Sequence, residues 1–163
     1  MKLSINSNHI SYDIVIQKSI SQNLASYISD FNQGQKFILC FPSNLSLYVP
    51  DIISDFKNHN YDIEQLEIND GEKFKSLDYI QHLAHSLMDL NCKRDTVLVA
   101  LGGGTVGDIV GFLSSIFMRG IKYINVPTTL LAMVDSSIGG KTGVNYKGVK
   151  NVLGAFHQPQ LVC

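Results

Sequence analysis

Residues 101–158 read LGGGTVGDIVGFLSSIFMRGIKYINVPTTLLAMVDSSIGGKTGVNYKGVKNVLGAFHQ, and this stretch decides the reading of the chain. Three glycine-rich turns fall within it, each where a strand should hand over to a helix or a loop. Glycine lets backbone N–H groups approach an anion closely, and Lys141, Lys147 and Lys150 bring positive charge in behind. The stretch reads first as a site for something phosphorylated.

Working outward, residues 2–6 and 10–16 read as two short strands around the turn-prone Asn6-Ser7-Asn8. A helix is expected over 21–31, a strand over Lys36–Phe41, and a further helix over 46–59. Tyr61–Ile68 reads as a strand closed by Asn69-Asp70-Gly71, followed by a helix over 76–91. Then come strand 96–101, the triple-glycine turn, helix 107–118, strand 122–126, and a helix from Pro127-Thr128-Thr129 to about residue 134. This alternation predicts a Rossmann-like, doubly wound α/β fold on a mostly parallel sheet. Ligands in such sheets sit at the carboxyl ends of the strands, where these loops fall. Leu161-Val162-Cys163 reads as the opening of another strand, so a missing C-terminal portion is expected.

At 163 residues, 45% hydrophobic and 17% charged, the chain has the make-up of one globular domain with a real core. A net charge of −1 argues against a general nucleic-acid or membrane-surface binder. No apolar run approaches a membrane span, and the N-terminus lacks a signal-peptide core. Cys40, Cys92 and Cys163 are odd in number and far apart, which suits reduced thiols in a cytoplasm.

Each motif has a plain structural reading beside the chemical one. Gly102, Gly104 and Gly107 spell G-x-G-x-x-G between a strand and a helix, a dinucleotide signal that strand–helix packing also explains. The usual acid after the next strand is missing, because Asn125-Val126-Pro127 stands there. Asp108 reads as a carboxylate at a helix start, where it would cap free N–H groups. Asp70-Gly71-Glu72-Lys73-Phe74-Lys75 reads as a solvated charged turn, made notable by its place after a strand. Threonine after Pro127 caps a helix or aims a hydroxyl at a ligand. Gly139-Gly140-Lys141-Thr142 fails the P-loop test, since Asp135 occupies the place of the required glycine. Asp135 itself ends an apolar run, and burial there would call for a partner such as Lys141. His82 and His85 fall opposite the apolar face of their helix and read as surface residues; His157 reads as structural or as a support behind site residues. No metal set, Ser-His-Asp or Cys-His arrangement stands out.

Taken together, GGGTVGD, RGI, VPTTLLA, VDSSIGGKTGVN, KN and GAFHQP, with the upstream DGEKFK, closely resemble the 3-dehydroquinate synthase family. The resemblance is specific over about 66–162 and weaker before; the family's Thr-Asn turn near Phe41–Tyr48 is rearranged here to FPSNLSLY. It implies an NAD-dependent, metal-assisted carbon–oxygen lyase of the shikimate pathway, turning 3-deoxy-D-arabino-heptulosonate 7-phosphate into 3-dehydroquinate and phosphate. It implies that Asp70, Gly71, Glu72, Lys73, Phe74 and Lys75, then Gly104, Thr105, Val106, Gly107 and Asp108, and also Thr128, Thr129, Lys141 and Lys150, line the NAD site. By the same resemblance Asp135, Lys141 and Asn151 reach the substrate, and Arg119 reaches its phosphate across a homodimer interface. The family's zinc or cobalt ligands, one Glu and two His, come from a helical domain after the matched region, so residues 1–163 are expected to be the NAD-binding domain alone. Such a chain should bind NAD without running the full reaction. The competing readings are a related cyclase making an inosose or a valiolone, a stand-alone NAD-binding domain without catalysis, and an iron-dependent alcohol dehydrogenase, which VDSSIGGKTGVN argues against.

Overall fold

Strand β3 (Lys36–Phe41) shows how the layers arise. Phe37, Leu39 and Phe41 point into one apolar cluster, and Ile38 and Cys40 into another. A strand apolar on both faces must be covered on both faces, which is the demand a doubly wound sheet meets. Helix α1 (Val49–Asn58) covers the first face with Ile52 and Phe56, both fully buried. Burying each such side chain stabilises the fold by about 1.5–3 kcal/mol. Helices α2 (Leu77–Asp89) and α3 (Gly104–Ile116) cover the second face, through Ile80, Leu83 and Leu87 and through Val106, Ile109 and Val110.

A computed structural model describes residues 1–7, 10–29, 31 and 34–163. The remaining strands are β1 (Lys2–Ser7), β2 (Ile10–Val15), β4 (Asp62–Glu67), β5 (Val97–Gly102), β6 (Lys122–Pro127), β7 (Lys141–Tyr146), β8 (Val149–Phe156) and β9 (Leu161–Val162). The main sheet has seven strands in the order β1-β2-β9-β6-β5-β3-β4. All its neighbours are parallel except β1 with β2. The chain runs from β3 outward to β4 and then returns to the other side of β3 as β5, so the winding reverses there, the place where such sheets open a crevice. Among the described residues no helix is long and apolar enough to cross a membrane.

Most expected elements stand within two or three residues of their sequence positions, and β9 forms where Leu161-Val162-Cys163 suggested a strand. Four differ. Among the described residues of 21–31 no α-helix forms; two short 3₁₀ turns stand there, Ile20–Gln22 and Leu24–Tyr27, the second pinned by the buried Asp55 carboxylate accepting from the Ala25 N–H at 2.7 Å. Asp30 lies outside the described residues, as does Asn8 of the expected first turn. The helix expected over 46–59 begins as a 3₁₀ turn, Ser43–Tyr48, and becomes α-helical only at Val49, with Pro50 in its first turn. The helix expected from Pro127-Thr128-Thr129 to about residue 134 is a short π-helical turn, Ala132–Ser136. Residues 141–156, to which the sequence assigned no element, form the antiparallel hairpin β7–β8. Its two-residue turn places Lys147 at φ 48° and Gly148 at φ 79°, the pair of left-handed residues that a tight hairpin requires. The hairpin packs on α3: Val144 is fully buried in the α2–α3 cluster, and a Cβ at Gly111 would lie 2.5 Å from Thr142.

Candidate active site

The carboxyl ends of β4, β5 and β6 meet around the start of α3. Gly103 is the N-cap of this helix and supplies no side-chain bond to it, so the first-turn N–H groups carry no cap. They form the positive end of a 13-residue helix. The glycines here serve space rather than unusual dihedrals, since none of Gly102, Gly103, Gly104 and Gly107 has positive φ. A Cβ at Gly104 would lie 2.7 Å from the Ser136 Oγ, and one at Gly107 would lie 3.1 Å from the Asn125 Nδ2. Beside this turn, the Thr128 N–H donates to the Gly102 carbonyl at 2.9 Å, and Thr129 caps the next turn, its Oγ1 accepting from the Ala132 N–H at 3.3 Å. The capping reading of Thr129 therefore holds. The capping reading of Asp108 does not: α3 begins at Gly104, which leaves Asp108 inside the first turns with another task.

That task is Lys75. The turn Asp70–Lys75 is not the solvated charged turn its composition suggested, because Lys75 is only 5% exposed. Its ammonium donates to the Asp108 carboxylate and to the Asn151 side-chain oxygen. Burial pushes the Asp108 carboxyl above the usual carboxylate range, against the opposing pull of Lys75. At the exposed end of the same turn, Glu72 accepts from the Asn145 Nδ2 at 2.8 Å. That bond is the main cause holding the Glu72 carboxyl below its ordinary value, with Lys75 and Lys150 adding to it. Asp70 and Lys73 are exposed.

Asp108, Lys141 and Asn151 line one cavity of about 380 Å³, walled by Thr142, Gly143 and Phe156 of the hairpin. Lys150 is exposed beside Asn151. The structure thus gathers Lys75, Asp108, Lys141, Lys150 and Asn151 along one edge, with Glu72 and the glycine turn. Lys147 does not join them: it forms the hairpin tip, its Nζ 5.5 Å from the Tyr146 ring centroid.

Asp135 departs from expectation. It lies in a π-helical turn, Ala132–Ser136, and is exposed, with no ion pair to Lys141 among those formed by the described residues. Leu130, Leu131, Met133 and Val134 around it are half or more exposed, so the carboxylate carries no burial cost that a partner must offset. The loop after it is pinned from two sides: the Gly139 N–H donates to Tyr12 Oη at 3.3 Å, and the Gln158 Nε2 donates to the Gly139 carbonyl at 3.0 Å. Gly139 and Gly140 have φ 88° and 64°, so both need glycine. Lys141-Thr142 opens a strand rather than a helix, which agrees with rejecting a P-loop. Arg119 stands at the far end of α3, exposed at φ 68° in a left-handed run with Met118 and Gly120. Within this chain it is not brought to the other candidates.

His82 and His85 are exposed on α2, and His157 is structural: it stacks on Tyr123 at 5.5 Å, and its Nε2 bonds the Ile121 carbonyl at 2.8 Å. Sequence reading missed Asn145, Tyr12, Ser136 and Ser137. All but Tyr12 lie in the run VDSSIGGKTGVN, the signal that could have found them. The Ser136 and Ser137 hydroxyls are buried without a protein partner, and the Ser136 hydroxyl faces Gly104. An uncapped helix start, a neighbouring hydroxyl with bonding capacity to spare and exposed lysines suit the phosphates of a dinucleotide. Among the described residues no three His, Cys, Asp or Glu side chains converge as a metal ion needs, so these residues do not fit a metal centre.

Comparison with known proteins identifies the family. The family model for 3-dehydroquinate synthase N-terminal matches residues 65–163. A 3-dehydroquinate synthase of Clostridium tetani is 44% identical over 131 residues, covering 80% of this chain and 35% of that protein. A crystal structure of 2-deoxy-scyllo-inosose synthase complexed with carbaglucose-6-phosphate, NAD+ and Co2+ superposes with a TM-score of 0.89 at 27% identity, over 99% of this chain and 45% of that one. The 2-epi-5-epi-valiolone synthase of Streptomyces hygroscopicus, with NAD+ and Zn2+ bound, gives 0.83 at 29% identity, over 97% and 44%. The chain thus spans less than half the length of these relatives. With the matched region holding the glycine turn, the Lys75–Asp108–Asn151 cluster and the β7–β8 hairpin, the chain belongs to the family of 3-dehydroquinate synthase N-terminal domains.

Proposed function

We propose that residues 1–163 form the NAD-binding part of a 3-dehydroquinate synthase, acting in the cytoplasm as a homodimer on 3-deoxy-D-arabino-heptulosonate 7-phosphate. The observation that carries this reading is the meeting of an uncapped helix start with a buried lysine that holds Asp108 and Asn151 together. Bound there, NAD+ supplies reversible oxidation of a substrate hydroxyl. The first-turn N–H groups of Gly104, Thr105 and Val106 hold its pyrophosphate, with Thr128 and Thr129 alongside. Asp70 and Glu72 accept from ribose hydroxyls, in place of the acid missing after β6, while Gly71, Lys73 and Phe74 complete that wall. Gly107 lets α3 close onto β6.

Lys75 pulls against the burial that raises the Asp108 carboxyl and aims the Asn151 amide. Lys141 and Lys150 neutralise phosphate as compact charges, and Asp135 and Asn151 orient substrate hydroxyls. Arg119 from a second copy grips the substrate phosphate with its planar fork. The metal that this reading needs falls to residues outside 1–163.

The superposition on an inosose synthase supports a second reading, a sister cyclase with another sugar phosphate as substrate. Incubating the longest natural protein that contains this chain with the heptulosonate phosphate, NAD+ and Zn2+, and identifying the product by mass, tests both. Release of 3-dehydroquinate is expected. A product formed only from another sugar phosphate, with the heptulosonate phosphate left unconverted, would overturn the first reading in favour of the second. The 163 residues by themselves are expected to bind NAD+ without turnover, and clear turnover by them would contradict the division of labour proposed here.

A further inference from the structure

Asn145 joins the two sides of the cluster. It sits at the bulge of β7 between Val144 and Tyr146. Its backbone N–H donates to the Lys75 carbonyl at 2.8 Å, and a single parallel bridge pairs it with Ser76. Its side chain works in both directions: Nδ2 donates to Glu72 Oε1 at 2.8 Å, and Oδ1 accepts from the Asn151 N–H at 2.9 Å. Asn151 in turn accepts from Lys75. Lys75 follows Glu72 by one short 3₁₀ turn, so the four residues close a ring.

The ring dictates its own chemistry. A carboxylate only accepts and a backbone N–H only donates, so the side chain between them must offer one donor and one acceptor on a short stem. Asparagine does so. Aspartate would keep the bond to Asn151 and set a second negative charge against Glu72. Asn151 also needs the anchor, because it holds φ 53°, a left-handed conformation that a side chain disfavours. With its N–H and its side chain both tied, that conformation is fixed.

We propose that Asn145 is a positioning residue, fixing Glu72 and Asn151 relative to each other across the Lys75 ring, so that the ribose-facing acid and the substrate-facing amide act at a set separation. This rests on the reading of the edge as a cyclase's cofactor site. Asn145 touches neither cofactor nor substrate in it.

The test uses the 163-residue protein and two variants, Asn145→Asp and Asn145→Leu, with thermal melts to confirm folding. Carbon-detected NMR follows the Glu72 carboxyl titration, and hydrogen exchange follows the Asn151 amide. In Asn145→Asp the Glu72 midpoint rises while Asn151 exchange stays within about twofold of the parent. In Asn145→Leu the midpoint rises and exchange quickens by about tenfold, the loss of one net hydrogen bond. Should the leucine variant not fold, the isosteric aspartate variant decides alone. A second arm measures NAD+ affinity in a cycle with Glu72→Gln. Asn145→Asp is expected to weaken binding about tenfold with Glu72 present and less than about twofold in the Glu72→Gln background. An unmoved Glu72 midpoint in the folded aspartate variant, or equal losses in both backgrounds, would overturn the positioning role. Absence of NAD+ binding by the unaltered protein would instead overturn the functional reading, while the NMR arm still decides the role of Asn145.

Discussion

The start of α3 and the segment 130–140 share one edge of the sheet, yet they are built in opposite ways. Around α3 the polar side chains are tied within the chain: Lys75 to Asp108 and Asn151, Asn145 to Glu72 and Asn151. In the second segment Leu130 is 75% exposed, Asp135 has no ion-pair partner among the described residues, and the Ser136 and Ser137 hydroxyls are buried unpaired. On the cofactor side proposed here the polar side chains are therefore set by internal bonds, while those of Asp135, Ser136 and Ser137 are not. Substitutions should separate the two, since only the first region couples binding residues to the stability of the fold.

The largest effect is expected from Lys75→Ala. It leaves the largely buried Asp108 without its cation and Asn151 without its donor, and should cost about 3 kcal/mol in urea unfolding. A loss under about 0.5 kcal/mol would mean that the cluster does not hold the site together. Gly111→Ala comes next. Its methyl would meet Thr142 Cγ2 at 2.5 Å, so the hairpin must lift from α3, at a cost of about 1–3 kcal/mol. The same unfolding curves read this, and an unchanged midpoint would contradict the close seating of β7.

The smallest effect is set by pH. The Glu72 carboxyl is held below its ordinary value, so its stabilisation is present above about pH 4.3 and is lost as pH falls through the lower folded value. Asp108 runs the other way: its raised folded value makes its ionised form a cost above that value, relieved as pH falls toward the unfolded one. Glu72→Gln should thus be less stable than the parent at about pH 7 by about 0.3 kcal/mol, an exposed group's share, and equal to it once the pH has fallen below the lowered folded value. A difference that grows on acidification would reverse the assignment.

Leu131→Ser in the second region should leave stability within about 0.5 kcal/mol, since the side chain is 69% exposed.

The parallel sheet was legible because β3 and β5 are short runs apolar on both faces, which only a covered central strand tolerates. The β7–β8 hairpin was not. Lys141, Gly143, Lys150 and Gly154 break any alternation, and its burial comes from the fit of Thr142 and Val144 on α3, a tertiary contact without a local signal. The expected helix over 21–31 failed for a similar reason, because Asp55, some 30 residues on, binds the Ala25 N–H and fixes a 3₁₀ turn. In the site, the resemblance placed Lys75 and Asp108 at the cofactor and Asn151 at the substrate. Spacing alone gave a solvated turn and a capping carboxylate, since a pair 33 residues apart in sequence leaves no periodic trace. Asn145 ends the run VDSSIGGKTGVN, yet its bonds to Glu72 and Asn151 leave no trace in spacing.

The central claim, that this edge builds a dinucleotide site around the start of α3, is tested most directly by calorimetric titration of the 163-residue protein with NAD+. Saturable one-to-one binding is expected. It should weaken about tenfold or more in Gly104→Ala, whose methyl would press on Ser136 and crowd the helix start, and should stay within about twofold in Leu131→Ser. No saturable binding, or equal affinity in Gly104→Ala, would contradict the account.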